Sequence, residues 1–239
     1  MHAIKLSGIN FRIGSNAIIR DLTLEIPQGD SLGLIGPNGS GKTTLYRLLL
    51  GLAKANSGSI EVLGHIMPDR RVLQKIGYMA QTESLYQDLS VEENLLFFGS
   101  LYGLQGKAAQ KRVDEMLALV DLKHQRKVRV ENLSGGMRRR TSLAVSVFHS
   151  PKLLLLDEPT VGVDPELRIS LWNEFMHLNK TGVTIVVSTH NLDEANHCKR
   201  LVLLKEGQIL ACQSPDELKQ STRSENVEEA FLKLARKTA

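Results

Sequence analysis

Residues 31–50 read SLGLIGPNGSGKTTLYRLLL, and within them Gly36-Pro37-Asn38-Gly39-Ser40-Gly41-Lys42-Thr43 fits the pattern G-x-x-x-x-G-K-[ST]. Ser31 to Ile35, before it, is a short apolar run of strand character; TTLYRLLLGL, after it, carries leucines at helical spacing and stops at Gly51. A strand, a glycine-rich turn and a helix in that order are the setting a phosphate-binding loop requires. The glycines let backbone N–H groups turn inward round β- and γ-phosphates, and the helix N-terminus adds partial positive charge. Lys42 supplies a full charge, Thr43 a hydroxyl for Mg²⁺, and Thr44 a contact to the α-phosphate.

Upstream, the alternation Leu22, Leu24, Ile26 reads as a half-buried strand, and Ile4, Leu6 and then Ile9, Phe11, Ile13 read as two more, so the N-terminal part is antiparallel β. Strands near Ser59 to Val62 and Ile76 to Met79 follow the loop and its helix. From Ser90 to Asp121 the pattern is helical, opened by Ser90 and Glu93 at capping-box spacing, with Val113, Met116, Leu117 and Val120 sharing one face of a second helix. Alternation then resumes: a helix from Ser134, a strand Leu153 to Leu156, a helix Pro165 to Asn179, a strand Val183 to Ser188. Strands near Leu201 to Leu204 and Gln208 to Ala211 follow, joined by the turn KEGQ, and two short helices end the chain. The fold class is α/β, a phosphate-loop NTPase core with an N-terminal antiparallel β subdomain and an inserted helical subdomain.

The chain has 239 residues of which 42% are hydrophobic, enough for a core without disulfides or structural metal. No apolar run approaches the roughly 20 residues of a membrane-spanning helix, and MHAIKLSGIN does not read as a secretory signal, so a cytosolic address is expected. Cys198 and Cys212 have neither disulfide-framework nor zinc-site spacing. The net charge of +4 is spread along the chain among acidic residues, which argues against a nucleic-acid surface.

KLLLLDE, Lys152 to Glu158, is a buried apolar strand that delivers two carboxylates at its C-terminal end, where open α/β sheets place their ligands. Asp157 would hold Mg²⁺ through water and Glu158 would polarise the attacking water as general base. Leu133-Ser134-Gly135-Gly136-Met137 opens a helix with a serine cap and two glycines, suited to offering N–H groups to an anion.

LSGG lying between these two phosphate-site motifs resembles the signature of the ATP-binding cassette (ABC) family, and the resemblance covers nearly the whole chain. It implies one ABC ATPase domain over 1–239. In it 1–89 and 132–212 form the catalytic core with its β subdomain, 90–131 the helical subdomain and 213–239 the C-terminal helices. It also implies that Gln81 links Mg²⁺ and the attacking water to the helical lobe, that Asp164 crosses a dimer interface, and that His190 contacts the γ-phosphate and orients Glu158. Taken singly, these three read equally as a loop polar group, a cap before Pro165 and a helix-start histidine. Where the family places an aromatic residue against adenine this chain has Ile13, with Phe11 two residues back on the same strand face as the alternative or as a core residue. Met137 stands where the family commonly has glutamine, followed by Arg138, Arg139 and Arg140, which read as solvated helix charge or as dimer-interface residues.

The segment SLYQDLSVEENLLFFGSLYGL together with EPTVGVDP resembles the subclass serving exporters of drugs, polysaccharides and lipids. The expected activity is ATP hydrolysis with Mg²⁺, by a homodimer in which each signature faces the other subunit's nucleotide, beneath a separate permease at the cytoplasmic face of the membrane. The rival reading is a soluble ABC-type ATPase acting on nucleic acid or the ribosome. The long heptad segments, second cassette and zinc cysteines of such relatives are not in this sequence.

Overall fold

The structure, a computed structural model, describes residues 1–82 and 84–237. Residues 238 and 239, the end of the expected C-terminal helical segment, lie outside them, as does Glu83. The first layer is a four-stranded antiparallel sheet ordered β2-β1-β4-β5, from β1 (His2–Ile13), β2 (Asn16–Pro27), β4 (Ser57–Val62) and β5 (His65–Ile66). The two strands expected over Ile4 to Ile13 are one. Register shifts between Leu6 and Ile9, and again up to Arg12, break the alternation without turning the chain, which is what a bulged strand does.

The second layer is a six-stranded sheet ordered β10-β9-β3-β8-β7-β6, built from β3 (Ser31–Ile35), β6 (Ile76–Met79), β7 (Leu153–Asp157), β8 (Thr184–Thr189), β9 (Arg200–Lys205) and β10 (Gln208–Gln213). Its pairings are parallel except β9 with β10. Every residue of β3, β7 and β8 is buried, the reason these strands are near-continuous apolar runs and not alternating ones.

The two faces of β7 sort the core. Leu153 and Leu155 join Tyr46, Leu48 and the first sheet on one side, with α1 (Lys42–Leu49) between the layers. Leu154 and Leu156 meet Leu143 and Phe148 of the α5 region (α5, Gly135–Val147) and Trp172 and Phe175 of α6 (Pro165–Lys180) on the other. After a one-turn helix α2 (Arg70–Leu73), the insert supplies α3 (Val91–Leu101) and α4 (Gly106–Leu119), whose Leu95, Val113 and Met116 continue the second core. The Ser90 capping box forms as expected: Ser90 N–H and Oγ–H donate to Glu93 at 2.7 Å, and Glu93 N–H donates back to Ser90 Oγ. Glu92, buried beside it, accepts from Arg126 at 2.7 Å and pairs with Lys127; these partners hold its carboxyl down at about 2. Helices α7 (Pro215–Thr222) and α8 (Val227–Lys237) close the described chain.

Candidate functional site

The glycine-rich loop leaves β3 and enters α1 at Gly41, which holds φ 109°, a conformation strained for any residue with a side chain, and where a Cβ would stand 3.2 Å from the Ile18 carbonyl oxygen and 2.7 Å from Ile19 Cδ1. No side chain caps α1, which leaves its first N–H groups to the concavity in front of it. That concavity, about 450 Å³, is lined by Asn38, Gly39, Gly41, Lys42, Thr43 and Thr44, by Gln81 after β6, by Glu158 after β7, and by Ile18 of β2. Lys42 is buried; its Nζ donates to the carbonyls of Gly36 (2.8 Å) and Pro37 (3.2 Å) and lies 3.4 Å from Glu158 Oε1.

The parallel order β3-β8-β7 brings the two carboxylates to the loop from two strands away. Asp157 is fully buried. Its Oδ1 accepts the Ser188 hydroxyl of β8 at 2.5 Å, and its Oδ2 has no hydrogen-bond partner. Glu158 holds φ 49°, a region non-glycine residues rarely occupy, and its N–H donates to Ser188 O (3.1 Å) and Oγ (3.0 Å). Its side chain is clasped from both ends: opposite Lys42, His190 Nδ1 stands 2.7 Å from Oε2, and the tautomer with hydrogen on Nδ1 donates to the carboxylate. His190 itself is half exposed at the end of β8, and so faces outward as well as towards Glu158.

The structure therefore brings the loop, Gln81, Glu158 and His190 to one place, with Asp157 just beneath. Other expected site residues stand apart. Ser134 is the N-cap of α5, accepting Met137 N–H at 3.3 Å, with Gly135 and Gly136 in the first turn; Asp164 is the N-cap of α6, accepting Leu167 N–H at 3.0 Å. None of these four lines the concavity among the described residues. Ile13 is 57% exposed at the tip of the first hairpin, while Phe11 packs against the core of the first layer. Ser40 Oγ is buried without a partner.

Three residues of this region carry no sequence signal of their own. Ile18 lies far from the loop in the chain, Ser188 is one of three hydroxyl residues of the strand TIVVST, and Arg139 is hidden in a run of three arginines. Arg139 is neither solvated nor at the surface: it is buried and donates to the carbonyls of Pro159, Gln81 and Glu158. Arg138 and Arg140 turn instead to carbonyls of Leu133, Glu131 and Val120.

Residues 19–161, more than half of the chain, match the family described as ABC transporter. The chain belongs to the ABC transporter family. Among its relatives in that family is the probable multidrug ABC transporter ATP-binding protein YbhF of Escherichia coli (strain K12), 37% identical over 238 residues, 97% of this chain and 41% of that protein. The Nod factor export ATP-binding protein I of Rhizobium sp. (strain N33) is 38% identical over 219 residues, 90% of this chain and 72% of that one. The chain thus spans about two fifths of YbhF but most of the Nod factor protein. Among solved structures, the dimeric post-hydrolysis state of an ATP-binding cassette bound to ADP and Pi superposes with a TM-score of 0.79 at 26% identity, covering 88% of this chain and 98% of that one. As an ABC family member this chain has an ATP-binding domain, and the concavity before α1 is where its phosphate-loop geometry lies.

Proposed function

We propose that this chain is the ATP-hydrolysing subunit of an ABC exporter, working as a dimer beneath a separate permease at the cytoplasmic face of a membrane. The observation that carries the chemistry is the clasp on Glu158, whose carboxylate is held between Lys42 and His190 at the rim of the loop. The N–H groups of the loop and α1, with the Lys42 ammonium, bind and orient the β- and γ-phosphates. Glu158 accepts the proton of the attacking water as the new P–O bond forms and the bond to the ADP oxygen breaks. His190 holds the carboxylate in line and turns its exposed face towards the phosphate.

The donor set fits Mg²⁺. Asp157 Oδ2, one residue before the concavity-lining Glu158, is a buried carboxylate oxygen with no hydrogen-bond partner, and Thr43 and Gln81, which line the concavity, carry neutral oxygens. A hard cation that keeps waters and shares phosphate oxygens suits one carboxylate and a hydroxyl. When bound it neutralises phosphate charge.

Dimerisation is supported by the surface position of the signature, whose anion-binding turn lies outside this chain's own concavity, and by the dimeric cassette among the solved relatives. Export follows the relatives' names. No helix among the described residues is long and apolar enough to cross a membrane. A separate apolar groove of about 350 Å³ between the sheet and the insert, lined by Leu52, Tyr78, Leu85, Phe98, Tyr102 and Val145, has the chemistry to seat an amphipathic element of a permease. The core over 1–89 and 132–212 would then do the chemistry and the insert 90–131 transmit it.

The test is Glu158→Gln, which keeps size and removes the proton acceptor. ATP affinity by calorimetry should survive, turnover should fall about 100- to 10,000-fold, and a dimer should accumulate in ATP and Mg²⁺ but not in ADP. Turnover near the wild-type rate, or loss of nucleotide binding, would defeat the assignment.

A further inference from the structure

Burying a guanidinium is unfavourable unless its donors are met by well-placed acceptors. Arg139 is only 6% exposed, and its acceptors are backbone carbonyls of two separate segments: Gln81 O on Nη1 at 2.8 Å, Pro159 O on Nε at 2.8 Å, and Glu158 O on Nη2 at 2.5 Å. Two of the three residues so held are those whose side chains line the phosphate concavity. Glu158 is thus fixed by its N–H on Ser188, by its carbonyl on Arg139, and by its carboxylate between Lys42 and His190, at a φ of 49° that needs such support. The anchor of the fork is α5, the helix that begins at the Ser134 cap.

We infer that Arg139 is a positioning residue for ATP hydrolysis: its guanidinium sets the backbone of Glu158 and of Gln81 together, and ties both to the signature helix. The inference rests on the general-base reading of Glu158. The planar fork matters here, because three carbonyls approaching from two segments are met by Nε and both Nη groups, which a lysine ammonium on a single point cannot match.

The experiment uses the full chain with ATP and Mg²⁺ and compares Arg139→Lys, Arg139→Gln and Arg139→Ala, each with and without Glu158→Gln. Steady-state kcat and KM, single-turnover rates and melting temperature are recorded. The Lys and Gln variants carry the test should the Ala variant not fold. Misplacing the general base is expected to lower kcat about 10- to 100-fold with KM for ATP within about threefold, since the phosphate-binding groups are untouched. In the Glu158→Gln background the same substitutions should lower the residual single-turnover rate by a clearly smaller factor than in the wild-type background, because residues acting through one another are non-additive and only the share carried by Gln81 remains. A kcat within about twofold of wild type for both Lys and Gln variants, or equal losses in the two backgrounds, overturns the proposal while leaving the general base intact. Wild-type turnover by Glu158→Gln alone removes the general base and this proposal with it.

Discussion

Ser188 is the residue through which the Asp157 carboxylate and the Glu158 backbone N–H are held to β8, and replacing it by alanine tests that arrangement. Its hydroxyl donates to Asp157 Oδ1 at 2.5 Å in a fully buried setting, and it shares the Glu158 N–H with its own backbone carbonyl. Alanine removes the first bond and leaves Asp157, whose Oδ2 has no other partner, as a carboxylate with neither oxygen bonded. The second loss is small because Ser188 O still accepts the N–H at 3.1 Å. A hydrogen bond to a charged group is worth about 1.5–3 kcal/mol, so Ser188→Ala should cost roughly 2–3 kcal/mol, the upper part reflecting the orphaned buried oxygen. At about 2–4 °C per kcal/mol for a chain of this size, the melting temperature should fall by about 4–12 °C. Scanning calorimetry gives the value, and Asp157→Asn supplies the control. With a neutral amide the bond is worth only about 0.5–1.5 kcal/mol, so the cost of Ser188→Ala should fall to about half. An equal cost in both backgrounds, or a cost below about 0.5 kcal/mol in the wild type, would refute the charge-assisted reading.

Gly41→Ala should abolish measurable ATP binding in calorimetry while the chain still folds, since a Cβ at φ 109° strains the turn and meets Ile19 Cδ1 at 2.7 Å. Glu92→Gln should lower stability by about 2 kcal/mol at neutral pH, because it removes the charge from a buried carboxylate that the partly exposed Arg126 and the exposed Lys127 reach from the surface, where solvent screens part of the attraction. Its folded carboxyl lies at about 2 against an ordinary value of 4.5, so the wild-type advantage is full above about pH 4.5 and is lost as pH falls towards 2. Chemical unfolding at a series of pH values should show the two curves converging over that window.

How much of this was legible in the sequence depended on whether a residue's task was local. The loop could be read because its glycines answer a backbone requirement between one strand and one helix, and LLLLDE because a strand covered on both faces must be apolar throughout. His190 and Gln81 could be placed only through the family resemblance, and their meeting with Glu158 depends on a strand order that no local pattern encodes. Arg139 was illegible for a related reason. Three consecutive arginines on a helix look alike in sequence, yet they point about 100° apart, and only the middle one faces the end of β7. The bulged β1 reads in sequence as two strands because a register shift resets the alternation without a turn residue to announce it.

The signature glycines show where one chain's geometry ends. A Cβ on Gly136 would lie 2.5 Å from Leu167 Cδ2, so α6 packs close enough there that the end of the Leu167 side chain would have to shift for any larger residue. At Gly135, one residue earlier in the same turn, a Cβ would meet nothing within 4 Å, and the residue is not among the glycines with positive φ. Neither packing nor backbone conformation inside the chain asks for glycine at that position. What remains is an approach from outside, at the N-terminus of a helix whose free N–H groups favour an anion. The concavity before α1 gathers this chain's phosphate-binding groups and is partly open to solvent. A second copy presenting Gly135 to that opening would meet both requirements at once, which is the physical ground for proposing that two subunits complete the site.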